Sequence, residues 1–196
     1  MAKTLISTFR EGYAVVAAIY KLEPDKLILL IPKEKDETRE NFLKKVKADF
    51  KKIAKIETAP TEVYDIPQIV KDVCEIIDKE HKLGNEIYVH ISESRKTQAL
   101  GALFAGFIKR DKIKQVLYIE QETNKLLPMP LLNFKLSSTK TKILKEIVKG
   151  NTKVDTIIKN TKKSKTLIYN DIKQLKKNGY ITEDMKLTDA GRICIL

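Results

Sequence analysis

Residues Glu86–Leu103 read EIYVHISESRKTQALGAL. An apolar run of strand length, Glu86–Ser92, stops at a polar loop. The next segment, Arg95–Arg110, is almost wholly apolar and rich in small residues: Ala99, Gly101, Ala102, Ala105 and Gly106. A helix this apolar is covered on more than one side. A buried strand that runs through a polar loop into such a helix is half of a βαβ unit. The flanking sequence supplies the other halves. Lys3–Phe9, Asp25–Pro32 and Lys114–Glu120 read as strands, and Lys55–Asp65 as a weaker one. Between them, Glu11–Leu22 and Asp36–Lys55 read as helices, as does the stretch from Ile66 to the terminator Gly84. The strands are continuously apolar, as expected of a parallel sheet covered on both faces. The expected fold over residues 1–134 is therefore α/β, a Rossmann-like three-layer domain with a mainly parallel sheet.

That label carries no dinucleotide with it. The first strand turns through STFREGYA, whose single glycine is Gly12, so the Gly-x-Gly-x-x-Gly fingerprint is missing, as is a Walker A lysine pattern. No cofactor is expected. Neither Cys74 and Cys194 nor His81 and His90 has metal-ligand or redox spacing, so no metal is expected. His90, inside a strand, reads as a hydrogen-bonded structural residue. No apolar run reaches the roughly 18 residues of a membrane span, and MAKTLISTF lacks the features of a signal peptide. A cytoplasmic location without membrane partners is the expectation.

Charge divides the chain. Residues 1–134 hold 23 Lys+Arg against 20 Asp+Glu, a net of +3; residues 135–196 hold 15 against 6, a net of +9. A Lys- and Glu-rich surface accounts for the total but poorly for the asymmetry, which suggests a polyanionic partner for the last third.

In an open α/β sheet, ligands sit beyond the strand carboxyl ends, where neighbouring crossovers go to opposite faces. Right-handed crossovers and a 3-2-1-4-5 order make those neighbours the first and fourth strands. Their carboxyl ends are Ser7–Gly12 and His90–Gln98. Candidate ligand residues are Ser7, Thr8, Phe9 and Arg10 in the first loop, and Ser92, Ser94, Arg95, Lys96 and Thr97 in the second. The hydroxyls and bases beside two helix N-termini suit a phosphorylated ligand, and Phe9 is placed to stack on a base. Simple helix capping with solvated bases is the other reading. A symmetric dimer through the small-residue helix would bring two copies of the loop to a twofold axis.

Residues 135–196 form a second expected domain. Ser137–Asn151, Lys153–Thr161 and Lys162–Ile181 read as three helices, the third with Leu167, Ile168, Ile172 and Leu175 inward. Residues 181–196 read as two short strands around a turn at Glu183–Asp184 and a terminal segment. This is the pattern of a winged helix-turn-helix with the third helix in the major groove of double-stranded DNA. Lys162, Lys163, Lys165 and Lys173 suit phosphates; Ser164, Thr166, Tyr169 and Asn170 suit base edges; Lys186 sits on the wing. A winged helix used for protein contacts is the alternative, against which the +9 excess argues.

The segment KLTDAGR resembles the Leu-Thr-x-x-Gly-Arg ending of many winged-helix regulators. The opening KTLISTFREGYAV and the stretch VHISESRKTQALGALFAG resemble the two loop motifs of the CRISPR-associated Rossmann fold (CARF) transcription regulators. That resemblance implies a homodimer binding a cyclic oligoadenylate, usually cyclic tetra-adenylate, across its twofold axis, and regulation of CRISPR promoters through the winged helix. It carries the ligand role onto the nine loop residues named above. Glu93-Ser94 stands where the family often has Gly-Gly, and a carboxylate there repels an anion unless it turns away. Some such domains cleave their ring. Ser7 or Thr8 with Lys96 is the candidate set here, but no general base accompanies it, so the expectation is a binder and not an enzyme. A ring nuclease, or a DNA-binding regulator sensing another small anion, are the alternatives.

Overall fold

The computed structural model describes residues 1–130 and 136–195. The chain divides into two compact units, Met1–Met129 and Pro130–Leu196. The boundary expected at 134/135 lies outside the described residues.

In the first unit the elements alternate: β1 (Lys3–Thr8), α1 (Tyr13–Leu22), β2 (Lys26–Pro32), α2 (Glu37–Phe50), β3 (Lys55–Thr61), α3 (Ile66–Lys82), β4 (Glu86–His90), α4 (Lys96–Ile108), β5 (Gln115–Ile119) and β6 (Leu126–Met129). They form one six-stranded sheet of order β3-β2-β1-β4-β5-β6. The first five strands are parallel and β6 runs antiparallel to β5. The sequence reading has the order of the five parallel strands but treats Leu126–Met129 as an extended exit. It becomes an edge strand because β5 has one free side; Leu126 also packs against the apolar cluster of α1. Pairing two edges removes exposed backbone groups.

Each side of the sheet has its own core. Leu5, Phe9, Leu27 and Leu29 pack with Val15, Ala18 and Ile19 of α1 and Val46 and Phe50 of α2. The helix expected over Asp36–Lys55 ends at Phe50, so Ile53 lies past its end and is exposed. On the α3–α4 side the helices touch at Gly101, where a Cβ would lie 2.6 Å from Ile69 Cγ2. A glycine there sets how closely α4 approaches α3. Gly101, Ala102, Ala105 and Gly106 are buried, and Leu100, Phe104 and Ile108 form an exposed apolar row at four-residue steps.

The second unit contains α5 (Ser138–Val148), α6 (Val154–Thr161), α7 (Lys165–Lys177) and α8 (Asp189–Ile193). Its core joins Ile143, Leu144, Ile147, Ile157, Ile168, Ile172, Leu175 and Tyr180. Glu146 ties α5 to α6, accepting from Asn151 at 2.8 Å and Asn160 at 2.6 Å, and pairing with Lys149 at 2.7 Å. The Lys149 bond and the two amides hold its carboxyl down at about 2. Two expectations change here. Leu167 is exposed, because the helix starts at Lys165 and Ser164 caps it, which turns Leu167 outward and Ile168 inward. The two expected strands reduce to a single antiparallel bridge, Ile181 to Leu187, around a tight turn in which Thr182 and Lys186 bond at 2.8 Å.

No described helix is long and apolar enough to cross a membrane.

Candidate functional site

β1 and β4 lie side by side, with Ser7 opposite His90 in register. Their crossovers diverge, so their carboxyl ends open a cleft. It measures about 710 Å³ and is lined by residues of the first loop, the second loop and the β5–β6 turn.

Of the first-loop candidates, only Arg10 reaches the cleft. It is exposed and pairs loosely with Glu11 at 3.8 Å. Ser7, Thr8 and Phe9 are buried. β1 ends at Thr8 but its pairing continues one residue further: Phe9 N–H bonds Leu30 O at 3.1 Å, and the ring belongs to the α1–α2 core. Phe9 is therefore a core residue and not a stacking platform. Ser7 Oγ donates to Thr8 O at 2.9 Å and meets His90 Nδ1 at 2.8 Å. Its one hydrogen being used, Ser7 accepts from Nδ1–H, which leaves Nε2 as the bare nitrogen. Nε2 is buried without a partner among the described residues, as is Thr8 Oγ1. Burial pushes the His90 imidazole down to about 4, so it is neutral near pH 7.

The second loop is built tightly. Ser92 Oγ accepts the Ile119 N–H at 2.5 Å, pinning the loop to the end of β5 while its own hydrogen remains able to donate. Ser94 Oγ donates to Arg95 O at 3.0 Å. Both serines line the cleft. Glu93 accepts from the Gly12 N–H at 2.5 Å and, with its other oxygen, from the Ala14 N–H. The carboxylate turns onto the start of α1 and joins the two loops.

Arg95 and Thr97 contact a third segment, the β3–α3 loop, which sequence reasoning did not include. The Arg95 guanidinium bonds Tyr64 Oη at 2.5 Å and lies 5.3 Å from that ring's centre. Thr97 Oγ1 donates to Val63 O at 2.5 Å, and Gln98 Nε2 to Thr61 Oγ1 at 3.0 Å. Lys96 is exposed and has no ion pair among the described residues. Tyr13, Tyr118, Gln121 and Asn124 also line the cleft and were missed. Tyr118 was within reach of topology, since β5 neighbours β4; Tyr13 was hidden by a pattern that reads as plain helix.

In the second unit the expected DNA residues fall on the turn after α6, on α7 and, for Lys186, on the turn between Ile181 and Leu187. Lys162 ends α6 in the left-handed conformation, with φ 53°. Lys162–Ser164 is thus a turn between α6 and α7, and the third helix begins later than expected. Lys163, Ser164, Lys165, Thr166, Tyr169, Asn170 and Lys173 are all exposed, as is Lys186. Ser164 Oγ accepts the Leu167 N–H at 3.4 Å, so its oxygen caps the helix. The Lys165 ammonium stands 5.8 Å from the Tyr169 ring centre.

Residues 9–124 match a family model described as "HFX_2341_N:-like, N-terminal". Among solved structures, the chain is similar to Enterococcus italicus Csm6 bound to cyclic hexa-2'-fluoro-hexa-dAMP, with a TM-score of 0.58 at 12% identity; the match covers 92% of this chain and 52% of that one. It is also similar to protein VC1899 from Vibrio cholerae, with a TM-score of 0.50 at 11% identity, covering 98% and 64%. The chain thus spans about half the length of Csm6. These likenesses establish a shared fold. No curated protein matched the chain.

Proposed function

The chain belongs to the HFX_2341_N:-like, N-terminal family, and from that premise we propose that it is a CARF-type, ligand-sensing DNA-binding regulator. Its first unit binds a cyclic oligoadenylate as a homodimer, and its second binds double-stranded DNA as a winged helix-turn-helix. The observation that carries this reading is the pairing of two features in one chain. A switch-point cleft opens between β1 and β4, and a separate unit presents Lys162, Lys163 and Lys165 on the exposed turn and start of α7.

The ligand half draws on the fold shared with Csm6, whose structure holds a cyclic hexa-2'-fluoro-hexa-dAMP. Cyclic tetra-adenylate is the ring that the loop motifs imply. The exposed row Leu100, Phe104 and Ile108 on α4 supports the dimer, since a second copy would bury it. The DNA half draws on charge. Lysines at a helix N-terminus and on the preceding turn can neutralise phosphates, and Thr166, Tyr169 and Asn170 are placed to reach base edges.

We further propose binding without ring cleavage. The Ser7 and Thr8 hydroxyls, half of the candidate set for a ring-opening step, are buried in β1, and Ser7 Oγ is engaged by Thr8 O and His90 Nδ1.

One pair of measurements tests both halves. Calorimetry with cyclic tetra-adenylate is expected to give heat at one ring per dimer, with the ring recovered intact by chromatography. No heat with any cyclic oligoadenylate sinks the ligand half, and a linear product favours a ring nuclease. Replacing Lys163 and Lys165 together by Ala is expected to weaken duplex binding roughly 10- to 100-fold at low salt and lower the salt slope by about 2, equally across sequences. Unchanged binding refutes α7 as the reading helix.

A further inference from the structure

The geometry points to Glu93 as a specificity determinant: its carboxylate is the resident anion of α1, filling the amide site a ligand phosphate would otherwise take. The cleft beside it then admits uncharged, hydrogen-bonding groups and turns phosphate away.

α1 has no cap of its own. Its N-cap is Gly12, at φ 88° and without a side chain; α4 and α6 likewise lack a side-chain cap, whereas α2, α3, α5, α7 and α8 are capped by Asp36, Asp65, Ser137, Ser164 and Thr188. Glu93 reaches across from the second loop and supplies acceptors to two of the amides at the helix start, one carboxylate oxygen to Gly12 N–H and the other to Ala14 N–H. Two charge-assisted bonds in the positive field of a helix start are what a bound phosphate would receive there. The carboxylate is tethered, so a free anion must compete against an intramolecular partner.

The remaining lining agrees. The lining holds one arginine, Arg10, against two carboxylates, Glu11 and Glu93, and Arg10 pairs loosely with Glu11 at 3.8 Å. A cleft with that balance repels a second anion. Its other groups are uncharged: the Tyr13 and Tyr118 rings and the Gln121 and Asn124 amides offer stacking surface, donors and acceptors. A nucleobase or ribose suits them. The basic side chains of the second loop, Arg95 and Lys96, are not part of this lining, so phosphates are left to that side. The assignment of a nucleotide as ligand rests on the proposed function; the occupancy of the α1 amides does not.

The test uses amide nuclear magnetic resonance of the full chain, with inorganic phosphate as probe and ionic strength held with chloride. In the unaltered protein the Gly12 and Ala14 signals are expected to stay still up to tens of millimolar phosphate. In Glu93→Ala they shift saturably, the apparent affinity rising at least tenfold. Saturable shifts in the unaltered protein, or none in a folded Glu93→Ala, overturn the proposal. If Glu93→Ala fails to fold, Glu93→Gln decides: it keeps the size and loses the charge, and silence at both amides overturns the proposal equally. A second arm compares adenosine with adenosine 5′-monophosphate at the Tyr118 and Asn124 signals. Several-fold tighter binding of adenosine supports the proposal; equal or tighter binding of the monophosphate, or no response to adenosine, overturns the uncharged-group half. Neither arm uses a cyclic oligoadenylate, so failure of the ring-binding reading is recorded separately by calorimetry.

Discussion

Gly191→Ala unfolds the C-terminal unit well before the N-terminal one. A Cβ at residue 191 would lie 2.1 Å from Tyr180 O and 3.0 Å from Leu187 Cδ2. The first of these is backbone and cannot swing aside. Tyr180 is buried, and its carbonyl accepts the Thr188 N–H at 3.1 Å, so pushing it away breaks the contact that closes the turn. Thr188 meanwhile caps α8 through Gly191 N–H at 3.2 Å and donates to Gly179 O at 2.6 Å. The residues of KLTDAGR are thus a packing unit: the threonine anchors the short helix and the glycine lets it lie against the chain entering the turn. An overpacked backbone contact of this kind costs about 3 kcal/mol or more. Hydrogen exchange resolved by residue is the check. Protection in α5–α7 should collapse while the β1–β5 amides keep theirs. Equal protection in both units would show that the carbonyl relaxes freely.

The second large effect is acid lability centred on His90. The imidazole is fully buried, its Nε2 has no partner among the described residues, and burial lowers it from the ordinary 6.5 to about 4. The unfolded chain takes up a proton below pH 6.5 that the folded one refuses until about pH 4. The stability present above pH 6.5 is therefore lost progressively as pH falls through that window, by roughly 3 kcal/mol in total. Denaturant unfolding of the first unit between pH 7 and pH 5 should show this slope. His90→Asn keeps an acceptor or donor near Ser7 Oγ and removes the titration, so its slope should be shallower even if its stability at pH 7 is lower. A His90 ring signal titrating near 6.5 in the folded protein would contradict the assignment.

How much of the site was legible follows from the range of the forces involved. Periodicity identified the five parallel strands and the helices of the first unit, and the handedness of crossovers then placed β1 beside β4. Those two steps were enough to bring the first and second loops to one cleft. They were not enough to say which side chains face it. Phe9 was read at the end of the first strand and as a platform for a base, but its N–H still pairs with Leu30 O and its ring lies in the α1–α2 core. Ser7 looked like a phosphate donor, and its hydroxyl is spent on Thr8 O and His90. Glu93 was the residue that fitted worst, because a carboxylate beside a phosphate site is repulsive as an isolated fact. Its partners, Gly12 and Ala14, are some eighty positions away, and only the folded chain puts them within a hydrogen bond.

The sequence alone therefore determined the five parallel strands and their order, the helices α1–α7, the split in charge and the exposed lysines around α7. These depend on local periodicity, composition and the chirality of connections. The tertiary structure decided what those cannot reach: β6 closing the edge of β5, Tyr64 holding Arg95, Leu167 facing outward, and the wing shrinking to one bridge. Above all it decided that the helix start behind STFREG already holds an anion. Hydrogen bonds between distant segments carry no periodic signal, so the chain had to fold before Glu93 could be seen to complete α1.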